Sequence, residues 1–96
     1  MPTYVVLYEF TDQGRKHVKS TVQRTRETQA ENEQRGFKVH GLYWTQGQYD
    51  LIAIVEAPSE QAMLNGLFNI AEAGNVRSQT LRAFSATEME QMLQQT

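Results

Sequence analysis

The run Phe37-Lys38-Val39-His40-Gly41-Leu42-Tyr43-Trp44-Thr45-Gln46-Gly47-Gln48-Tyr49-Asp50-Leu51-Ile52-Ala53-Ile54-Val55-Glu56 decides the fold. Two stretches rich in β-branched and aromatic residues, 37–45 and 48–56, flank Gln46-Gly47. A two-residue connection with glycine second is a tight-hairpin signal, because that position needs positive φ. In that register Trp44 opposes Tyr49, Tyr43 opposes Asp50, Leu42 opposes Leu51 and His40 opposes Ala53.

Working outward, Thr3 to Phe10 is rich in Val, Tyr and Phe and reads as a strand, ended by Thr11-Asp12-Gln13-Gly14, where Thr11 or Asp12 can cap a helix. The stretch from there to Gly36 has no proline and is made mostly of good helix formers, so it predicts one continuous helix. Its stripe is thin. Val18, Thr21, Val22 and Thr25 keep helical spacing, but Gln29 and Asn32 follow where leucine is expected, so the second half is either poorly buried or lines something polar. On the other side of the hairpin, Pro58 and Ser59 open a second helix with Leu64, Leu67, Phe68 and Ala71 at helical spacing, stopped by Gly74-Asn75. Val76 to Phe84 is the last strand, and Ser85-Ala86-Thr87-Glu88 is a capping box leading a short tail helix with Met89, Met92 and Leu93 on one side.

The order is strand, helix, strand, strand, helix, strand. Two split βαβ units of this kind fold, through right-handed crossovers, into an α+β ferredoxin-like βαββαβ domain over residues 1–96. The expected sheet is antiparallel, of order 4-1-3-2, with both main helices on one face.

Strand alternation sorts the sheet into two sets. Phe37, Val39, Ile52, Ile54, Val5, Leu7, Leu81 and Ala83 form an aliphatic set, expected under the helices. The other set holds Tyr4, Val6, Tyr8, Phe10, Leu42, Trp44, Tyr49, Leu51 and Val55, with Thr80, Arg82 and His40. An antiparallel sheet with one wet face should carry polar residues there, and neither set is polar. The aromatic set is therefore expected to be covered by a second copy in a homodimer or higher homo-oligomer, with the tail helix as the alternative cover.

Composition narrows the classes. The length of 96 residues suits one domain with a modest core. With no cysteine there is no disulfide, thiolate metal site or cysteine nucleophile. The net charge of −2 offers no basic footprint for nucleic acid. No apolar run reaches membrane-spanning length, and Met1-Pro2-Thr3 leads straight into the first strand without a basic region or cleavage site, so a cytoplasmic location and no membrane partner are expected.

No Ser/His/Asp set, glycine-rich phosphate loop or His/carboxylate metal spacing is present, so neither cofactor nor metal is expected. The predicted register instead gathers Glu9, Tyr43, Asp50 and Arg77 at one end of the sheet on the helix side. Two carboxylates, a phenol and a guanidinium near a helix N-terminus would bind an anion or polar ligand, or shift one carboxylate toward general acid/base use. The structural alternative pairs Arg77 with Glu9 and leaves Asp50 to accept from backbone N–H groups near the hairpin. Tyr49 is expected to stack on Trp44, His40 to make an interfacial hydrogen bond, and Arg82 to pair across the dimer or clamp a carboxylate ligand.

The residues Trp44-Thr45-Gln46-Gly47-Gln48-Tyr49-Asp50, with Glu56-Ala57-Pro58, Gly74-Asn75-Val76-Arg77 and Thr80-Leu81-Arg82-Ala83-Phe84, resemble the GYD domain family over nearly the whole chain. Gly47-Gln48-Tyr49-Asp50 fits its Gly-any-Tyr-Asp signature. The resemblance implies ferredoxin-like protomers joined through their sheets, in the manner of dimeric αβ-barrel proteins, with pockets between sheet and helices. It implies no particular reaction. A small homo-oligomeric protein binding a small molecule is the leading expectation; a cofactor-independent oxygenase or isomerase and a purely structural assembly module are the alternatives.

Overall fold

The computed structural model describes residues 1–95. β1 (Thr3–Phe10) leads into a short α1 (Asp12–Lys16), a single 3₁₀ turn over Val18–Ser20 and α2 (Thr21–Gln34). Then follow β2 (Lys38–Trp44), β3 (Leu51–Glu56), α3 (Glu60–Ala73), β4 (Val76–Ala83) and α4 (Ala86–Gln94). The four strands form one antiparallel sheet of order β2-β3-β1-β4, the expected 4-1-3-2 read from the other edge. The fold is the α+β ferredoxin-like one expected.

Local signals act where they were read. Ser85 and Glu88 close a reciprocal capping box at the start of α4. The Ser59 hydroxyl accepts from Ala62 N–H at 3.0 Å to start α3, and Gly74 ends it at φ 78°. Gly36 turns the chain after α2 at φ 94°.

The long first helix is not continuous. Gly14 lies so close to the start of β4 that a Cβ there would collide with the Asn75 carbonyl oxygen. Around it, Thr11 N–H donates to Asn75 O at 3.1 Å and the Thr11 hydroxyl donates to Gly74 O at 2.7 Å. The Gln13 amide donates to both Ala73 O and Asn75 Oδ1 at 3.1 Å. This clamp fixes α1 against the α3–β4 corner, and the chain redirects at His17, φ −115°, before α2 can run back over the sheet.

The hairpin is wider than two residues. Trp44 opposes Leu51 rather than Tyr49, and Tyr43 opposes Ile52 rather than Asp50. Asp50 is tied to β1 as well: its N–H donates to Tyr8 O at 2.8 Å and its carboxylate accepts from Phe10 N–H at 2.8 Å, which fixes it opposite Thr45 and leaves residues 46–49 as the loop. Thr45 closes the loop, its N–H to Asp50 O and its hydroxyl to Tyr49 O. Gly47, at φ 107°, supplies the positive φ.

The two faces of the sheet are exchanged relative to the sequence reading. Tyr4, Val6, Ala53 and Val55 are buried together with Phe37, Ala57 and Met63 of α3, and Tyr8, Val39 and Leu42 pack on them. Val5, Leu7, Ile52, Ile54, Leu81 and Ala83 therefore lie on the helix-free face. Alternation shows which residues share a side, but both sets are apolar, and volume decides between them. α2 sends mainly Thr, Gln and Asn toward the sheet, so the larger side chains of Tyr8, Phe10, Leu42 and Leu51 supply the bulk beneath it. A β-bulge between Val39 and Gly41 lets Phe37 and Val39 stay under the helices while Leu42 and Trp44 do so too.

α3 buries Met63 with Leu67 against the core, while Leu64 and Phe68, expected inside, are 51 % and 62 % exposed. Val18 and Val22 also face outward.

Candidate functional site

A cavity of about 200 Å³ lies between α2 and the sheet. Its sheet side is apolar, made by Tyr8, Leu42, Leu51, Ala53 and Val55. Its helix side is polar, made by Thr21, Arg24, Thr25, Thr28, Gln29 and Asn32. His17, Ile70, Asn75 and Val76 border it where α1, α3 and β4 converge. Short polar side chains at the inward positions of α2 leave none of its residues buried, so the helix stands off the sheet. The interrupted stripe at Gln29 and Asn32 was the mark of this cavity in the sequence.

Burial of Tyr8 pushes its phenol up to about 12, so the group is neutral and a hydrogen-bond donor at ordinary pH. Its hydroxyl has no partner among the described residues. A recess of about 30 Å³ that reaches toward Met63 and Leu67 shares Tyr8 and Asn32 with the main cavity. The entrance to α2 is tied to the sheet edge by the Trp44 indole N–H, which donates to the Thr21 hydroxyl at 3.2 Å. Gln29 donates to Glu33 at 3.1 Å and the Thr28 hydroxyl to the Arg24 carbonyl at 3.0 Å, whereas among the described residues no hydrogen bond occupies the Thr25 and Asn32 side chains. Among the described residues, no Asp or Glu borders the cavity, and no group of three or more His, Asp or Glu is placed to hold a metal.

None of the four expected ligand residues borders this cavity. Glu9 and Arg77 oppose each other and pair at 3.2 Å on the helix-free face. Tyr43, also there, is 60 % exposed, its ring lying against Gly41. Asp50 holds the β1 backbone. The structure brings Glu9 and Arg77 together and leaves the set of four dispersed, because the exchange of faces sends Glu9, Tyr43 and Arg77 away from the helices.

The expected interface residues divide in the same way. Tyr4, Val6 and Leu51 are buried on the helix side, with Tyr8 and Leu42 beside them and Trp44 reaching α2. Arg82 opposes Tyr4 in the register and lies over the rings of Tyr4, at 5.6 Å, and Phe84, at 4.4 Å. On the helix-free side, Tyr49 does not stack on Trp44; its hydroxyl donates to Gln79 Oε1 at 2.6 Å. His40, in the bulge, contacts Glu56 at 3.0 Å.

Fold and cavity together define a small ferredoxin-like protein with a polar-roofed pocket over one sheet face and an aliphatic opposite face. The chain belongs to the GYD domain family, which it matches over residues 4–93. The Thermus thermophilus protein named glutamine synthetase and cystathionine beta-lyase binding protein is 30 % identical over 90 residues, covering 93 % of this chain and 95 % of that protein. The crystal structure of MtbAldR superimposes with a TM-score of 0.68 at 14 % identity, over 88 % of this chain. The match spans 52 % of MtbAldR, and the likeness is one of fold.

In this structure each named residue of the Gly-any-Tyr-Asp signature makes a local structural contact or turn. Gly47 makes the turn, Tyr49 bridges to β4, and Asp50 positions the β1 segment carrying Tyr8 and Phe10, both of which border the cavity.

Proposed function

We propose that this protein is a small homo-oligomeric binding protein that takes a small molecule into the cavity between α2 and the sheet, its protomers meeting through the helix-free sheet face. The observation that carries the ligand reading is the cavity itself, apolar on the sheet side and polar on the helix side, with the Tyr8 hydroxyl free to donate. The aliphatic strip of Val5, Leu7, Ile52, Ile54 and Leu81 supports the assembly reading, since an apolar sheet face of that extent is ordinarily covered.

A second reading, docking on another protein, is favoured by the name of the Thermus relative, an enzyme-binding protein. In this chain Leu64 and Phe68, one turn apart on the outside of α3, would be the contact. Catalysis without a cofactor ranks below both: a general base would be needed, and the one imidazole bordering the cavity, His17, is on an exposed residue.

The experiment is light scattering and a thermal-shift metabolite screen on the wild type, Leu7→Asp and Thr25→Leu. The wild type is expected as a dimer or larger and Leu7→Asp as a folded monomer. Compounds that raise the wild-type Tm should lose their effect on Thr25→Leu, whose larger side chain fills the cavity. A monomeric wild type defeats the assembly reading, and hits that act equally on Thr25→Leu defeat the cavity.

A further inference from the structure

Resting on the reading of the cavity as a ligand site, we infer that its ligand is a small carboxylate with an apolar body about one ring in size, the head held by Arg24 and the body lying on Tyr8, Leu42 and Leu51. Charge is the first ground. Arg24 is half-buried at the cavity border, and among the described residues no carboxylate pairs with it, whereas Arg15 pairs with Asp12 and Arg77 with Glu9. His17 borders the same cavity and no acidic residue does, although the chain as a whole is acidic with a net charge of −2. A guanidinium bordering the cavity with no anion beside it favours an anionic guest, and its fork matches a carboxylate.

Size is the second ground. A cavity of about 200 Å³ is smaller than drug-sized pockets, whereas a dry apolar cavity of about 150 Å³ already admits benzene. One ring with a short acidic arm fits that volume. Hydrogen bonding is the third. Tyr8 offers a neutral phenol, and Thr25 and Asn32 offer a hydroxyl and an amide, none with a protein partner among the described residues. A guest that is polar at one end and apolar at the other satisfies the roof and the sheet together.

The test titrates phenylacetate into the protein by calorimetry, against phenylacetamide, the neutral analogue, and acetate, the head without the ring. Phenylacetate should bind at least tenfold more tightly than either. Arg24→Gln should lower phenylacetate affinity at least tenfold and leave phenylacetamide unchanged, and Thr25→Leu should abolish both. Equal affinities for phenylacetate and phenylacetamide, untouched by Arg24→Gln but lost in Thr25→Leu, overturn the carboxylate assignment while leaving the cavity as a ligand site. Phenylacetate binding that survives Thr25→Leu, or no binding of any probe, overturns the assignment as well.

Discussion

α2 and α3 have the same length, 14 residues, and roof the same face of the same sheet, yet one closes the core and the other opens it. α3 brings Met63 and Leu67 down onto Val6, Val55 and Phe37. α2 brings down Thr25, Gln29 and Asn32 and buries nothing. Its position is held from its ends: the Trp44 indole at Thr21, the Gly14 clamp before it, and Phe37 N–H donating to Asn32 O at 3.0 Å after it. The separation between a helix and a sheet follows the side chains that face the gap, so a polar roof anchored at both ends leaves a cavity where an apolar one would collapse onto the sheet.

The comparison breaks most sharply at matched truncations in the two helices. Met63→Ala should cost about 2–5 kcal/mol in urea unfolding, as removal of a buried side chain does. Asn32→Ala, which deletes an amide without a partner, should stay within about 0.5 kcal/mol. Equal costs would mean that α2 is as much a part of the core as α3.

The next effect concerns what holds the sheet side of the cavity in place. Asp50→Ala removes a charged acceptor from Phe10 N–H and should cost about 1.5–3 kcal/mol, measured by the same unfolding. Tyr43→Phe, on the far face, should leave stability unchanged. A stability loss at Tyr43 as large as that at Asp50 would return Tyr43 to the scaffold.

The last effect is on pH dependence, and at neutral pH it is absent. A phenol raised to about 12 in the folded protein and near 10 in the unfolded chain favours folding fully below pH 10, and that contribution is lost as pH climbs through 12. An ultraviolet titration of the four tyrosines should show one group ionising near 12, absent in Tyr8→Phe. The stability of Tyr8→Phe should also fall less steeply between pH 10 and 12. Identical curves for the two proteins would place Tyr8 in a more hydrated setting than the space beneath α2.

Element order, the strand order and the punctuation at Gly36, Gly47, Gly74 and Ser85 follow from the sequence by itself, because each rests on local backbone conformation, capping or alternation within one strand. The sequence also marked the polar second half of the first helix, at Gln29 and Asn32, as facing something other than core. Contacts distant in the chain decided the rest. Asp50 widens the hairpin because its partners are at Tyr8 and Phe10, and the first helix breaks because Gly14 meets Asn75. The candidate site moved with the faces of the sheet: two apolar sets of strand residues are equivalent until the volume of the helix layer is known. Only packing could place Tyr8, Leu42 and Leu51 beneath α2 and turn Glu9, Tyr43 and Arg77 to the other side.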